Sequence, residues 1–358
     1  MRAAIMRDGK LALGDMLVPE PGEGEVLVKT LACGICGSDL HTLKHGSEFV
    51  KQSRESGGGF DMDLDKDIVM GHEFCAEILD YGPGTSKALK PGTRVVSVPM
   101  TVRDGKVQTV GYSNSAPGGY AENMVLFEPM LLAVPNGLPT EHATLTEPVA
   151  VGFHAVQKSR IQKDEVPLVI GCGPVGLAVI MALKMMGIGP IVASDFSPRR
   201  RKLAEQLGAD IVINPAEGSP YKCWSDLAAK DKHGVDMPVN LLSGSPTFRN
   251  GVYFECVGTP GVISQLMAGA QKDCRIVIVG VCMEQDAINP LVGINKELNL
   301  QFVLGYTPEE FAESLHNIAE GKIDVAPLIT GTISIDGIPQ AFTDLADPEQ
   351  HAKILVVN

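Results

Sequence analysis

Two patterns of apolar and polar positions divide the chain. Up to about residue 130, short apolar runs alternate with breaks marked by glycine or proline. Residues 1–6, 25–30, 74–80, 94–98 and 120–126 read as strands, and 19–24 and 90–92 read as turns. From Glu141 the spacing becomes helical, with Ala143, Leu145, Val149, Val151, Ala155 and Val156 as the apolar positions. A continuous apolar strand at 166–170 then runs into Gly171-Cys172-Gly173-Pro174-Val175-Gly176, and a helix is predicted over 177–186. Further strands are predicted at 191–194, 211–213, 251–256 and 275–279, with helices at 199–207 and 260–271. This alternation predicts a doubly wound parallel sheet. The last part offers 298–304, a helix over 308–320 and a strand at 352–357.

Three stretches fit neither pattern. Residues 46–67 are polar and glycine-bearing and read as an exposed loop. Asp61, Asp63, Asp65 and Asp67 lie within it, but the glycine and glutamate that an EF-hand loop needs are missing, so a solvated loop is the better reading than a calcium site. Residues 99–120 are polar and contain no cysteine. Residues 237–250 form a long connection.

Composition narrows the classes. The chain of 358 residues is long enough for two domains, and 44% hydrophobic residues suffice for ordinary cores. A formal net charge of −13 argues against nucleic acid or an anionic membrane as partner. No stretch approaches the roughly 20 apolar residues of a membrane span, and the N-terminus lacks a signal-like apolar run. The eight cysteines are scattered, which argues against a disulfide framework and for a cytoplasmic protein.

The glycine run has the context that a dinucleotide fingerprint requires: a strand before it, a helix after it, and Asp195 at the end of the next strand. Gly171 allows the tight turn, Gly173 the approach of a pyrophosphate, and Gly176 the packing of helix on strand. The helix N-terminus presents free N–H groups to phosphates. Asp195 can accept hydrogen bonds from the adenosine ribose and repels a 2′-phosphate, which favours NAD. Arg199-Arg200-Arg201-Lys202 is either a solvated helix face or a 2′-phosphate clamp, so NADP stays as the alternative.

Cys36 and His72 are the firmest metal ligands, because a thiolate with an imidazole favours zinc. A carboxylate is needed to complete the shell. Glu73 is adjacent to His72, and Glu147 is costly to bury beside an apolar helical stretch without a partner. Asp39 can hold the far nitrogen of His72.

These residues resemble the zinc-dependent medium-chain dehydrogenases, particularly the polyol, butanediol and threonine dehydrogenase branch. The resemblance rests on Cys33-Gly34-Ile35-Cys36-Gly37-Ser38-Asp39, Gly71-His72-Glu73, Glu147-Pro148 with His154-Ala155-Val156, the glycine fingerprint, and Phe254-Glu255-Cys256-Val257-Gly258. It implies a mostly β, GroES-like catalytic domain at 1–151 and 295–358 around a Rossmann domain at 152–294, assembled as a homodimer or homotetramer. It also implies that Cys36, His72 and Glu147 ligate zinc and that Glu73 exchanges onto it. Ser38 is implied to receive the substrate proton, by way of the cofactor ribose, and His41 to pass it to solvent. Val257, Gly258, Val279, Gly280 and Val281 are implied to line the cofactor. Many relatives carry a four-cysteine zinc lobe where residues 99–120 here have none, so one zinc per chain is expected. The activity implied is reversible hydride transfer between an alcohol and NAD. A zinc-free NADPH-dependent reductase of quinones or enones is the alternative within the fold, and a non-catalytic cofactor-binding protein the alternative outside catalysis.

Overall fold

The computed structural model describes residues 1–358 except Asp61, Asp104, Asn136, Leu242, Ser243 and Ser245. It divides into Met1–Glu147 with Pro308–Asn358, and Pro148–Thr307.

Strand Glu25–Gly34 is the axis of the first unit. It pairs antiparallel with Glu73–Tyr81, Asn123–Phe127 and Lys353–Val357, so the C-terminal strand joins the N-terminal part of the chain in one seven-stranded sheet. Val26, Val28, Ile78, Val95, Met124, Leu126, Ile354 and Val356 form its core. Each such side chain contributes roughly 1.5–3 kcal/mol on burial.

The reading of 46–67 as an exposed loop is corrected here, because the helix Gly37–Ser56 occupies its first half. The buried stripe of this helix is Thr42, Gly46, Val50 and Ser53, with a kink at His45 (φ −124, ψ 23). Most of that stripe is small or polar, so hydrophobicity alone did not reveal it. The helix stops at Gly57, whose φ of 71 is the left-handed cap conformation. Beyond it, Phe60 packs on Phe49 and Tyr112 with ring centroids at 4.9 and 5.3 Å. Asp63 pairs with Lys66 at 2.9 Å, and Asp67 accepts from Arg7 Nε at 2.7 Å. These aspartates are engaged as surface ion pairs, whereas Asp61 lies outside the described residues.

The cysteine-free stretch folds as a hairpin, Met100–Arg103 against Lys106–Thr109. It is fastened to the central strand through Glu25, which is fully buried. Glu25 accepts from Thr101 Oγ1 at 2.6 Å, Arg103 Nε and Nη2 at 2.9 Å, and the Gly22 N–H at 2.8 Å. Burial pushes this carboxyl up, but the Arg103 and Thr101 bonds and the Gly22 N–H outweigh it and hold its pKa below the ordinary value. A depressed carboxylate contributes stability above its unfolded pKa, about 4.3, and that contribution disappears as pH falls through the folded value. Glu25→Ala is therefore expected to cost about 3 kcal/mol at pH 7 and distinctly less near pH 3. Urea unfolding at both pH values checks this; an equal deficit at the two would refute the ion-pair account.

The second unit holds a six-stranded parallel sheet in the order Ile211–Ile213, Val192–Ser194, Val166–Ile170, Gly251–Glu255, Arg275–Ile278, Asn299–Phe302. Gly251–Glu255 is buried throughout, as a parallel strand covered on both faces must be. A helix that the sequence pattern did not reveal, Pro220–Ala228, buries Trp224, whose Nε1 donates to the Val166 carbonyl at 2.9 Å. In the long connection, Val239 bridges to Pro246, while Leu242, Ser243 and Ser245 lie outside the described residues.

The expected domain borders also shift. Strand Asn299–Phe302, expected in the catalytic domain, pairs in parallel with Arg275–Ile278 from Arg275↔Asn299 to Ile278↔Phe302. Its backbone groups find their partners there, so the nucleotide-type unit runs to Thr307 and starts at Pro148. All eight cysteines are free. Among the described residues no helix is long and apolar enough to cross a membrane.

Candidate active site

The strand register assembles the first site. Gly34 pairs with Glu73 on one side and with Leu355 on the other. Cys36, two residues past Gly34, therefore lies near His72, just ahead of the strand Glu73–Tyr81. Gly71 is required before His72, because its φ is 98 and a Cβ there would lie 2.7 Å from Tyr120 Cδ1 and 2.9 Å from Cys33 Sγ. Cys36 caps the helix Gly37–Ser56, whose first turn carries Ser38 and Asp39, with His41 at the start of the second.

Ligand atoms of Cys36, His72 and Glu73 lie within 4.8 Å of one another. A thiol, an imidazole and a carboxylate at that spacing fit zinc. Among the described residues no other group of three or more such side chains is so placed. Glu147 is outside this cluster, although it is largely buried and within electrostatic reach of Lys353.

Asp39 organises the ground behind the ligands. It is fully buried and accepts from the Cys36 N–H at 3.1 Å, Tyr112 at 2.9 Å and Tyr120 at 2.6 Å. His72 Nδ1 stands 3.4 Å from Asp39 Oδ1, close enough for charge attraction though short of hydrogen-bond geometry. Burial pulls the imidazole pKa down, but the Asp39 carboxylate and Cys36 outweigh it and hold it well above the ordinary value. Burial likewise pushes Asp39 up, and His72 with the hydrogen bonds from Tyr120 and Cys36 brings it below its ordinary value. The pocket therefore favours a positive charge at His72, and a bound cation would supply one.

Lys353 and Tyr112 were not recognised in the sequence. Lys353 is fully buried, and its Nζ donates to both Glu73 oxygens at 2.7 Å and to the Ile35 carbonyl at 3.0 Å. Burial would lower its pKa, but Glu73 and Cys36, with a contribution from Glu147, raise it above the ordinary value. Tyr112 packs against His72, ring centroids 5.2 Å apart, and its hydroxyl lies 2.8 Å from Ser38 Oγ. No local pattern could have found either, since their partners are 280 and 74 residues away.

The second unit carries the glycine turn. Gly171 has φ 91, and a Cβ on Gly176 would lie 1.9 Å from the Gly171 carbonyl oxygen. Helix Pro174–Met185 follows with Gly173 as its cap and Pro174 and Val175 in its first turn. Asp195 Oδ2 accepts from the Cys172 N–H at 2.7 Å and Oδ1 from the Ser197 N–H at 2.8 Å, which ties the turn to the next strand. Arg201 donates to the Asp195 and Phe196 carbonyls at 2.9 and 2.7 Å, so this part of the basic run serves the backbone. Arg200 borders Gly173, with its Nη1 3.9 Å from where a Cβ would stand.

The cofactor-lining residues expected from the resemblance also meet. Glu255 is buried and accepts from the Val257 and Gly258 N–H groups at 2.8 and 2.9 Å. Burial raises its pKa more than those bonds lower it. A Cβ on Gly258 would lie 2.7 Å from the Val281 carbonyl oxygen, and one on Gly280 would lie 2.4 Å from Gly258 N. Two loops, one containing Val257 and Gly258 and the other Val279, Gly280 and Val281, are thus packed backbone to backbone around Glu255. That role was not visible in the motif.

Comparison with known proteins agrees with both halves of this arrangement. The family of zinc-binding dehydrogenases matches residues 174–320, and the GroES-like domain of alcohol dehydrogenases matches residues 22–136. The chain is 31% identical over 350 residues to (R,R)-butanediol dehydrogenase of Bacillus subtilis, covering 94% of each. It is 26% identical over 358 residues to sorbitol dehydrogenase of Bacillus subtilis, covering 96% of this chain and 92% of that one. The crystal structure of 2R,3R-butanediol dehydrogenase from Bacillus subtilis superposes with a TM-score of 0.81 at 28% identity, covering 100% of this chain and 99% of the other. With the thiol–imidazole–carboxylate group in one unit and the glycine turn in the other, this places the chain among the zinc-type medium-chain alcohol dehydrogenases, in their butanediol and polyol branch, as an oxidoreductase of CH–OH groups that uses zinc and a nicotinamide cofactor.

Proposed function

We propose that the chain reversibly oxidises a small secondary alcohol, diol or polyol to its carbonyl, with NAD as the nicotinamide and one zinc per chain. The convergence of Cys36, His72 and Glu73 carries this reading. The printed activities of the relatives, on butanediol and sorbitol, support the substrate class. Cys36, His72 and Glu147 would hold the metal, with Glu73 able to exchange onto it. When bound, zinc lowers the pKa of an alcohol and the nicotinamide accepts the hydride.

The chain's own residues do the rest. Ser38 accepts the alcohol proton. His41, three positions on and on the same helix face, passes it to solvent. Asp39 steadies His72. The N–H groups at the start of Pro174–Met185 receive the pyrophosphate. Asp195 keeps lone pairs for the ribose hydroxyls, and its charge disfavours a 2′-phosphate. The absence of cysteine from 99–120, where Glu25 fastens the hairpin instead, supports a single zinc. A homo-oligomer is supported by the edge strand Asn299–Phe302, where Phe302 is 65% exposed, and by Leu304 just beyond it, 76% exposed.

Protein purified without added metal is expected to contain about one zinc per chain. It should reduce NAD with a vicinal diol or a polyol, with kcat/KM at least about tenfold higher than for NADP. Elemental analysis and a diol and polyol panel check this. A zinc-free protein that reduces enones or quinones with NADPH would overturn it.

A further inference from the structure

His41 and His45 lie one turn apart on the helix Gly37–Ser56. Each stands just before a position of the buried stripe, Thr42 and Gly46, so the pair runs along the edge of that stripe. Both are half-buried, with one side of each ring open to solvent. Their rings are stacked, with centroids 6.5 Å apart and planes at 29°. Side chains four residues apart share a helix face. The non-helical backbone at His45 (φ −124, ψ 23) has not separated them.

We propose that His41 and His45 form a second metal site, apart from the group of Cys36, His72 and Glu73, which takes a borderline divalent cation such as Zn2+ or Ni2+. Imidazole nitrogen suits such ions, and two imidazoles held on one helix face have already met part of the ordering cost of chelation. With metal–nitrogen bonds of about 2.1 Å, two imidazoles on one ion stand with their centroids about 5–6 Å apart. The pair at 6.5 Å reaches that spacing by a small rotation of its side chains, with no change in the helix. Water completes the shell. Two protein ligands hold an ion less tightly than three, so the site fills only when metal is abundant, and protein purified without added metal still carries about one zinc.

Filling the site affects turnover, a consequence that rests on the reading of His41 as the proton exit. A neutral imidazole has one N–H and one accepting nitrogen. When a cation occupies the accepting nitrogen, none is left to take a proton. Excess metal therefore closes the exit while the ion held by Cys36 and His72 stays in place.

Calorimetric titration of the zinc-loaded enzyme with Ni2+, its zinc content verified before and after, reads the site without turnover. Wild type is expected to bind one further ion per chain. His41→Ala and His45→Ala should each weaken that binding at least about tenfold, because losing even an outer partner of a metal ligand costs roughly ten- to a hundredfold. His233→Ala, on an exposed turn of the other unit, should leave it unchanged. No further ion on wild type, or binding at wild-type strength in both the His41 and His45 variants, would overturn the site and leave the proposed activity standing. Ni2+ should also slow alcohol oxidation, and at least about tenfold more Ni2+ should be needed in His45→Ala, each rate being taken relative to the same protein without Ni2+. Binding that His45→Ala abolishes, but that does not slow wild type, would uphold the metal site and overturn His41 as the proton exit.

Discussion

Cys36→Ala is expected to lose the metal and to lower alcohol turnover by at least about a thousandfold, equivalent to roughly 4 kcal/mol of barrier. Three donor atoms lie within 4.8 Å, and the thiol is the softest of them. Without it the imidazole and the carboxylates remain, and Lys353 already engages the Glu73 carboxylate at 2.7 Å through both oxygens. Elemental analysis and steady-state rates on a diol measure the effect. NAD affinity should stay within about twofold, because the glycine turn belongs to a separate unit with its own core. A metal-free Cys36→Ala protein with wild-type turnover would sink the zinc mechanism.

The largest stability effect is expected from Lys353→Met. Lys353 and Glu73 side chains are each 1% exposed, so the substitution leaves a carboxylate inside the sheet with no cation opposite it. Breaking a buried pair from one side costs about 3–5 kcal/mol, whereas replacing both partners with apolar residues is often neutral. Metal-free Lys353→Met should therefore unfold at much lower urea than wild type, and Glu73→Leu with Lys353→Met should recover most of the loss. A wild-type midpoint for the single variant would show that the pair contributes nothing.

Local chemistry could be read from the sequence wherever the residues concerned are close in the chain or repeat with a clear period. Cys36 with His72, the turn from Gly171 to Gly176, and the strand Val166–Ile170 are of this kind. What escaped depends on register. Lys353 meets Glu73 because Gly34 pairs with both Glu73 and Leu355, a fact about three strands that no single segment carries. Tyr112 reaches Ser38 only after the hairpin docks. The extension of the first helix to Ser56 was missed because its buried face is made of threonine, glycine and serine beside Val50. Strand Asn299–Phe302 was given to the wrong domain because its apolar run says nothing about which sheet edge receives it.

The fastening of the hairpin by Glu25 and Arg103 has a practical consequence for how the protein would fail. A lobe held by four thiolates around a metal comes apart under chelators and thiol oxidants. This one has no cysteine between 99 and 120, so such reagents have nothing there to attack. Stripping the metal with a strong chelator should silence the chain and leave the lobe folded, ready to be reactivated by zinc alone. Acid near pH 3 should do the reverse, loosening the lobe through protonation of Glu25 and disturbing Tyr112 along with it.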